Sequence, residues 1–333
     1  MPNTTVEIAG GTDKGLHRLN NEDNYVLCHD LRHNNFDIPR GGITASLGDY
    51  GCLLVVADGM GGANAGEVAS QIAIDTVREL FSPDHICHIA GSSEARERHI
   101  KDVISEANAR IVDSAAHDET RQGMGTTIVV LWMMEQQVQI GWCGDSRCYV
   151  FNRQTGLTQL TKDHSLVQEL IDKDELTPQE AHDHPLANII TRSLGQASAQ
   201  SLAETRTYTV CHGDTFLLCS DGLSSVASEE RIIDVLTAPA DSLGRTRDML
   251  IDAALDSGGY DNVTVALLRV SLGSGTTPAG RRSRLNDTLA DAAPASRRWP
   301  GRLGIVAAVA TVLLVIAAAV LAVVLMLHAE HII

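Results

Sequence analysis

Short runs of apolar residues alternate with longer amphipathic segments over the first 271 residues of this 333-residue chain. Two segments, residues 66–81 and 99–112, repeat apolar positions at helical spacing. The other apolar runs are short, rich in β-branched residues and bounded by Gly or Asp, which is typical of buried strands. The predicted strands are residues 26–28, 53–57, 126–133, 138–143, 147–151, 206–210, 215–220 and 262–270. Many strands in hairpin order, with helices in separate blocks, predict a layered α+β fold.

The pattern changes near the C-terminus, where residues 305–327 contain no charged residue. As a helix this segment would be about 34 Å long, enough to cross the hydrocarbon core of a bilayer. A buried globular helix is the alternative, but the segment is apolar on every face. Arg297, Arg298 and Arg302 precede it and only residues 328–333 follow, so the positive-inside rule places residues 1–304 in the cytoplasm. We therefore expect a single-pass transmembrane helix over residues 304–328, anchoring the protein to the inner (plasma) membrane.

Residues 272–303 are rich in Gly, Ser, Pro, Ala and Arg and show neither helical nor strand periodicity. This composition predicts a flexible juxtamembrane linker. Its arginines at 281, 282 and 284 could touch anionic lipid or could be solvated linker charges.

The formal net charge is −16, although residues 274–333 hold six arginines against three acidic residues. The acidic excess therefore lies in the first 273 residues, and it argues against nucleic acid as a partner because phosphate backbones would be repelled. Metal-binding carboxylates would add to such a charge, and so would an ordinary soluble acidic surface.

Four aspartates stand at the ends of apolar runs: Asp58, Asp145 and Asp221 follow one, and Asp261 precedes one. A single Asp there is also a favoured turn or cap residue. Four such positions, far apart in sequence, predict a metal site, since hard divalent cations prefer carboxylate oxygens held on a rigid frame.

Residues 56–66 form a Gly-rich loop between a predicted strand and a predicted helix, where glycines permit close approach of a ligand and the helix N-terminus favours an anion. No Gly-Lys-Ser/Thr follows, so it is not a nucleotide P-loop. Arg18 stands four residues before Glu22 and Asp23. Alone this is a surface charge pair; together with Asp58 it suggests an arginine that clamps a phosphate beside metal-binding carboxylates.

Six motifs occur in order between residues 6 and 271: R-x-x-N-E-D (18–23), V-A-D-G-M-G-G (56–62), M-G-T-T (124–127), G-D-S-R (144–147), S-D-G-L (220–223) and D-N-V-T (261–264). This set resembles the bacterial form of the type 2C metal-dependent Ser/Thr protein phosphatases. The resemblance implies a catalytic domain over residues 1–271, built as an α-β-β-α sandwich of two antiparallel sheets flanked by helices. It also implies a cluster of Mn²⁺ or Mg²⁺ ions, two or three in number, at one end of the sandwich.

By the same resemblance, Asp58 would bridge two ions and the Gly59 carbonyl would bind the second. Asp221 and Asp261 would bind the first ion, and Asp145 would join Asp221 at a looser third ion. Two ions a few ångströms apart would generate a bridging hydroxide that attacks phosphorus in line.

The resemblance further implies that Arg18 holds the substrate phosphate, while Glu22 and Asp23 act at the metals directly or through bound water. Eukaryotic relatives carry His as a proposed general acid where Met60 stands here. A thioether donates no proton, so water or an unidentified group would serve; His17 and His164 are candidates by sequence position alone, against the alternative of ordinary surface or packing histidines.

Residues 162–196 contain short helical patterns with Pro178 at a first helical position. In relatives this region is a mobile flap that influences substrate choice; a capping subdomain without a catalytic part is the alternative.

We therefore expect a membrane-tethered enzyme that hydrolyses phosphoserine and phosphothreonine in proteins. Its partners would be a bacterial Ser/Thr kinase and that kinase's substrates. The alternatives are hydrolysis of a small phosphate compound, and a non-catalytic sensor that binds a phosphoprotein, which would usually have lost metal carboxylates.

Overall fold

The computed structural model describes residues 4–61, 65–182, 184–196 and 203–273. Within these residues, the strands are β1 (Thr4–Asp13), β2 (Asp23–Cys28), β3 (Ile43–Ser46), β4 (Cys52–Met60), β5 (Gly125–Thr126), β6 (Ile128–Met134), β7 (Gln137–Cys143), β8 (Arg147–Asn152), β9 (Gly156–Gln159), β10 (Glu204–Thr209), β11 (Thr215–Cys219) and β12 (Val263–Leu272). The first sheet has the order β3-β1-β12-β11-β8-β9, and the second has the order β10-β7-β6-β4-β2, with β5 paired to the end of β4. Every neighbouring pair is antiparallel.

Helices cover the outer face of each sheet. The helices of the described residues are α1 (Ala65–Leu80), α2 (Pro83–Ile86), α3 (Ser93–His117), α4 (Leu166–Asp172), α5 (Pro178–His182), α6 (Asp221–Ser224), α7 (Glu229–Thr237) and α8 (Leu243–Asp256). α1 and α3 share a core with the second sheet, whereas α7 and α8 share one with the first. The predicted two-sheet α+β fold flanked by helices is confirmed.

β4 shows why its apolar run is continuous rather than alternating. Leu53, Val55 and Ala57 lie in the core beneath α1 and α3, whereas Leu54 and Val56 lie in the core between the two sheets. Successive strand residues point to opposite faces, so a strand covered on both faces is apolar at every position. Only at the end of such a strand can a charged side chain escape the covering layers, so charged residues are expected there.

Four of the described helices begin where a serine caps them. The serine side chains accept hydrogen bonds from the backbone N–H groups three residues later, at the starts of α3, α4, α7 and α8; the caps are Ser92, Ser165, Ser228 and Ser242. Such caps satisfy a backbone donor that the first helical turn leaves unpaired.

The sequence pattern misses β1, β3, β9, α2, α6, α7 and α8. β1 has little apolar content around Gly10 and Gly11, yet it pairs with β12 along its whole length from Thr4 to Asp13. The pairing partner is more than two hundred residues away in sequence, and this long-range hydrogen bonding, rather than local propensity, makes the segment a strand.

Contacts divide the chain into two units, Met1–Thr277 and Pro278–Ile333. The second unit, with most of the predicted linker and all of the predicted transmembrane segment, lies outside the described residues. Across the described ranges no helix is both long and apolar enough to cross a membrane. The anchor therefore stays a prediction.

Candidate active site

Polar side chains replace apolar ones at one end of the inter-sheet core. Asp23 lies directly opposite Asp58 where β2 pairs with β4. Asp58 continues the inward-facing series of Leu54 and Val56, because strand side chains alternate with a period of two. Thr264 on β12 continues the inward-facing series on the other sheet in the same way. The two sheets thus bring carboxylates and hydroxyls together from distant parts of the chain.

Asp23 is a buried carboxylate that lies between the two sheets. Its Oδ2 accepts hydrogen bonds from Ser220 Oγ and Thr264 Oγ1, each at 2.7 Å, so one carboxylate joins the two sheets. Its Oδ1 is buried without a hydrogen-bond partner. Burial raises the pKa of Asp23 to about 7, although the two hydroxyl donors favour the charged form and oppose that rise.

Asp58 lies within β4, which extends to Met60, three residues beyond the predicted strand end. The Thr127 hydroxyl accepts from the Asp58 N–H at 3.1 Å, and the Asp58 carbonyl accepts from the Thr127 N–H at 2.8 Å. The Asp58 carboxyl is within hydrogen-bonding reach of Asp221. Burial, followed by the charges of Asp23, Asp221 and Asp145, raises the pKa of Asp58 well above its ordinary value.

Asp145 occupies the turn between β7 and β8, and its Oδ1 is buried without a hydrogen-bond partner. Burial and the nearby charges of Asp221 and Asp163 raise its pKa to about 7. Arg147, two residues on, forms a two-pronged ion pair with Asp163, with contacts of 2.7 to 3.0 Å. That pairing leaves Asp145 without a strong cationic partner of its own.

Asp221 begins the short helix α6 and lies against the segment that carries Asp261. A Cβ on Gly222 would come within 1.9 Å of the Asn262 carbonyl oxygen, so only glycine permits this approach. Burial and the charge of Asp261 raise the pKa of Asp221. Arg18 donates from Nη2 to Asp261 Oδ2 at 2.6 Å, with the arginine side chain 54% exposed.

Glu22 and Gly59 meet at the start of α1. The Gly59 N–H donates to the Glu22 carbonyl at 3.2 Å, and the Ser70 hydroxyl of α1 donates to the same oxygen at 2.7 Å. A Cβ on Gly66 would lie 2.6 Å from Glu22 Oε2, so the glycine lets this carboxylate sit against the helix N-terminus. Burial raises the pKa of Glu22, and the charge of Arg18 partly counteracts the rise.

Asn262 holds the Arg18 loop in place, a role that sequence reasoning missed. Its Oδ1 accepts from the Glu22 N–H at 2.7 Å, and its Nδ2 donates to the Lys14 and Asn20 carbonyls, each at 2.9 Å. The signal that could have identified Asn262 is its place beside Asp261 in the D-N-V-T motif. The threonines of M-G-T-T and the serine of S-D-G-L carry the same kind of signal. Each polar neighbour in a motif positions a carboxylate or the loop beside it.

Met60 and the two candidate histidines have distinct surroundings. Met60 pairs with Gly125 in the β4–β5 ladder. The His17 ring stacks on Tyr260 with centroids 5.1 Å apart. His164 Nδ1 accepts from the Gly144 N–H at 3.1 Å, and burial lowers the pKa of His164.

His164 also connects the flap to the turn that carries Asp145. Its N–H donates to the Gly144 carbonyl at 3.0 Å, and its carbonyl accepts from the Thr191 N–H at 2.8 Å. His164 Nε2 lies 3.2 Å from Glu204 Oε1 but outside a hydrogen-bonding direction.

The flap, residues 162–196, contains α4 and α5, as predicted, and its far end bridges β5 through Thr126 and Leu194. Both ends of the flap are therefore tied to elements that position aspartates.

The donor set fits hard divalent cations. Asp23, Asp58, Asp145 and Asp221 influence one another electrostatically, two of their oxygens lack partners, and each has a raised pKa. Carboxylates in a low-dielectric site are costly together unless protons or cations neutralise them. Among the described residues, however, no three or more His, Cys, Asp or Glu side chains already stand close enough to hold an ion. The individual metal assignments remain predictions.

Comparison with known proteins identifies the family. Residues 43–257 match the family model of protein phosphatase 2C. The serine/threonine phosphatase stp of Listeria welshimeri is 38% identical over 244 residues, which cover 73% of this chain and 92% of that protein. The serine/threonine protein phosphatase PstP of Mycobacterium tuberculosis is 34% identical over 265 residues, which cover 80% of this chain and 45% of PstP.

A solved structure agrees with these matches. The crystal structure of the PstP catalytic domain in complex with two manganese ions aligns with a TM-score of 0.63 and 31% identity, covering 80% of this chain and 99% of that one. The chain belongs to the protein phosphatase 2C family and is a metal-dependent serine/threonine protein phosphatase.

Proposed function

We propose that the described carboxylates hold the metal ions of this phosphatase. Asp58, Asp221 and Asp261, with the Gly59 carbonyl, would hold two Mn²⁺ or Mg²⁺ ions, and Asp145 with Asp221 would hold a third. Glu22 and Asp23 would contact the ions or their water. When bound, such ions activate water as a nucleophile and neutralise charge on the phosphoryl oxygens. The mutual approach of Asp23, Asp58, Asp145 and Asp221 at one end of the sandwich carries this proposal.

Arg18 would bind the substrate phosphate. Its guanidinium is more than half exposed and directs Nη2 to Asp261, while the planar group has further donors that can face a phosphoryl oxygen. The ion pair with Asp261 orients the arginine before substrate arrives, so little side-chain entropy is lost on binding. Asp261 would thus link the phosphate-binding residue to the metal-binding residues.

The substrates would be phosphoserine and phosphothreonine proteins, and the partner a bacterial Ser/Thr kinase whose products this enzyme dephosphorylates. The names of the relatives support the protein substrate class. Hydrolysis of a small phosphate compound is the rival activity. The non-catalytic sensor loses its basis, because the chain retains every carboxylate of the predicted set and belongs to an enzyme family.

Phosphate release from a phosphothreonine peptide tests the metal assignment. We expect activity with Mn²⁺ or Mg²⁺ and none with chelator. Asp58→Asn, which keeps the size of the side chain, should lower kcat by at least about a thousandfold because a negative charge that would hold the ions is lost. Asp102→Asn, on the exposed face of α3 and outside the proposed ligand set, is the control and should retain most activity. Full activity of Asp58→Asn in chelator would refute the metal assignment.

We further propose that residues 304–328 anchor residues 1–271 to the cytoplasmic face of the plasma membrane, with residues 272–303 as the linker. The support is the uncharged run at 305–327 and the arginines that precede it. Anchoring would confine the enzyme to phosphoproteins near that surface.

Truncation after residue 300 tests the anchor. The full-length protein should sediment with membranes and the truncated protein should remain in the supernatant, with similar kcat/KM on a soluble peptide. A truncated protein that still sediments with membranes would exclude the C-terminal segment as the sole anchor.

A further inference from the structure

Three of the five exposed large apolar side chains in the described part of the chain lie within two residues of Arg18 or Asp261 in sequence. The five are Leu16, Leu19, Leu186, Ile189 and Tyr260. Leu16 and Leu19 lie on either side of Arg18 in sequence, and Tyr260 precedes its ion-pair partner Asp261. We call Leu16, Leu19 and Tyr260 the apolar patch; they are 67%, 90% and 64% exposed. Exposed apolar side chains gathered at one place mark a binding surface more often than scattered ones.

The backbone beneath the apolar patch is fixed. The Leu16 N–H donates to the Gly259 carbonyl at 2.8 Å, and a Cβ on Gly259 would lie 2.9 Å from Leu16 Cγ, so Leu16 packs on that glycine. Tyr260 is stacked against the His17 ring. Asn262 Nδ2 binds the carbonyls at both ends of the Arg18 loop. The side chains are therefore presented to solvent by a preformed surface, which lowers the entropic cost of binding.

The apolar patch directly adjoins the Arg18–Asp261 pair in sequence, because Leu19 follows Arg18 and Tyr260 precedes Asp261. A phosphate held by Arg18 would place neighbouring residues of the same peptide within about 7 Å, since consecutive Cα atoms are about 3.8 Å apart. Side chains one or two positions from the phosphorylated residue can therefore reach the apolar patch.

We propose that the apolar patch binds an apolar side chain of the phosphoprotein substrate, one or two residues from the phosphorylated Ser or Thr. This inference rests on the proposed phosphate-binding role of Arg18. The apolar patch selects among phosphoproteins by their flanking sequence, whereas Arg18 and the carboxylates act on the phosphate that all substrates share.

Size and charge favour this occupant over the others. Three partly exposed side chains present at most a few hundred Å², less than the roughly 800 Å² per partner of a stable dimer. Glu22, Asp221 and Asp261 lie close to Arg18 and make the surroundings acidic, which disfavours an extended anionic lipid surface more than a single phosphate that Arg18 binds. A phosphopeptide would already be held at its phosphate by Arg18, so one further small contact is enough to discriminate between peptides.

Paired phosphothreonine peptides test the inference with the full-length protein at saturating Mn²⁺. The peptides are identical except for Leu or Ser at the positions one and two residues from phosphothreonine. The wild type should show a kcat/KM about tenfold higher for the Leu peptide, the effect of burying one aliphatic side chain in part. In Leu19→Ser and Tyr260→Ser the preference should fall to about twofold or less.

Leu19→Met and Tyr260→Phe are the matched controls, because each keeps an apolar group of similar size and should keep the preference. Hydrolysis of para-nitrophenyl phosphate, which has no flanking residue, separates the two hypotheses. Equal rates on both peptides, with the small ester still hydrolysed in a Mn²⁺-dependent way, would overturn this inference and leave the proposed function intact. Loss of Mn²⁺-dependent hydrolysis of all three substrates by the wild type would overturn both.

Two further outcomes would also overturn the inference. One is an unchanged peptide preference in both serine variants, which would assign selection to another surface. The other is a wild-type dimer in sedimentation velocity that becomes monomeric in Leu19→Ser, which would assign the apolar patch to a second copy of the chain.

Discussion

The aspartates of this site differ in burial and in their hydrogen-bond and ion-pair partners, because their surroundings differ. Asp23 is buried, accepts from two hydroxyls and has a pKa raised to about 7. Asp261 lies at the surface and pairs with Arg18. A carboxylate that is already paired with a cation can orient that cation, whereas unpaired buried carboxylates favour binding of a new one. Asp261 would thus orient Arg18 in addition to its proposed contact with a metal ion, whereas Asp23 would act at the metal ions alone.

At this scale we expect Arg18→Ala to raise KM for a phosphothreonine peptide by about ten- to a hundredfold, since a charge-assisted contact to the phosphate is lost. The effect on kcat should be smaller. Arg18→Lys keeps the charge but not the planar pair of donors, so its KM should fall between those of wild type and Arg18→Ala. Steady-state kinetics with each variant measures this, and an unchanged KM in Arg18→Ala would remove Arg18 from the phosphate site.

At the scale of elements, the site is built where strands end. β2 and β4 place Asp23 opposite Asp58, and the start of β12 places Asn262 beneath the Arg18 loop. The loop between β1 and β2 has no regular structure of its own, and the Asn262 side chain supplies the hydrogen bonds that a neighbouring strand would otherwise give. Its position therefore depends on a residue about 240 positions away.

We expect Asn262→Ala to lower the free energy of unfolding by about 2–4 kcal/mol, since one buried N–H and two carbonyls lose their partner. It should also raise KM, because Arg18 loses its fixed position. Asn24→Ala removes an exposed amide that bonds Gln71, and it should cost less than about 1 kcal/mol. Urea unfolding and peptide kinetics measure both effects; equal stability of the two variants would contradict this role of Asn262.

At the scale of the whole molecule, part of the chain's negative charge is concentrated in one cluster of aspartates. Four aspartates from four different strand ends have raised pKa values and share one end of the sandwich. Folding without cations must therefore bring like charges together or protonate them. Metal binding and stability are linked through these groups.

This linkage predicts how stability depends on pH. Asp23 and Asp145 have pKa values of about 7 in the folded chain, whereas an unfolded Asp titrates near 4. Between about pH 4 and 7 the folded chain binds more protons than the unfolded chain, so the free energy of unfolding falls as pH rises through that window. We expect the metal-free protein to lose on the order of 2–4 kcal/mol between pH 5 and 8.

Urea unfolding in chelator across this pH range measures the loss, and Mn²⁺ should restore more stability at pH 8 than at pH 5. Asp23→Asn removes one titrating group and should flatten the profile of the metal-free protein. A metal-free protein that becomes more stable as pH rises would contradict the proposed electrostatics of the cluster.

The sequence by itself determined the fold class, most of the buried strands and the aspartates at their ends, because apolar runs and the polar residues that interrupt them are local features. The six motifs also determined the family. The tertiary structure alone decided that β1 is a strand, that Asp23 joins the two sheets through Ser220 and Thr264, and that Asn262 holds the Arg18 loop. It also decided that Leu16, Leu19 and Tyr260 are exposed together. These facts depend on strand pairing and packing between distant segments, which no local pattern of residues encodes.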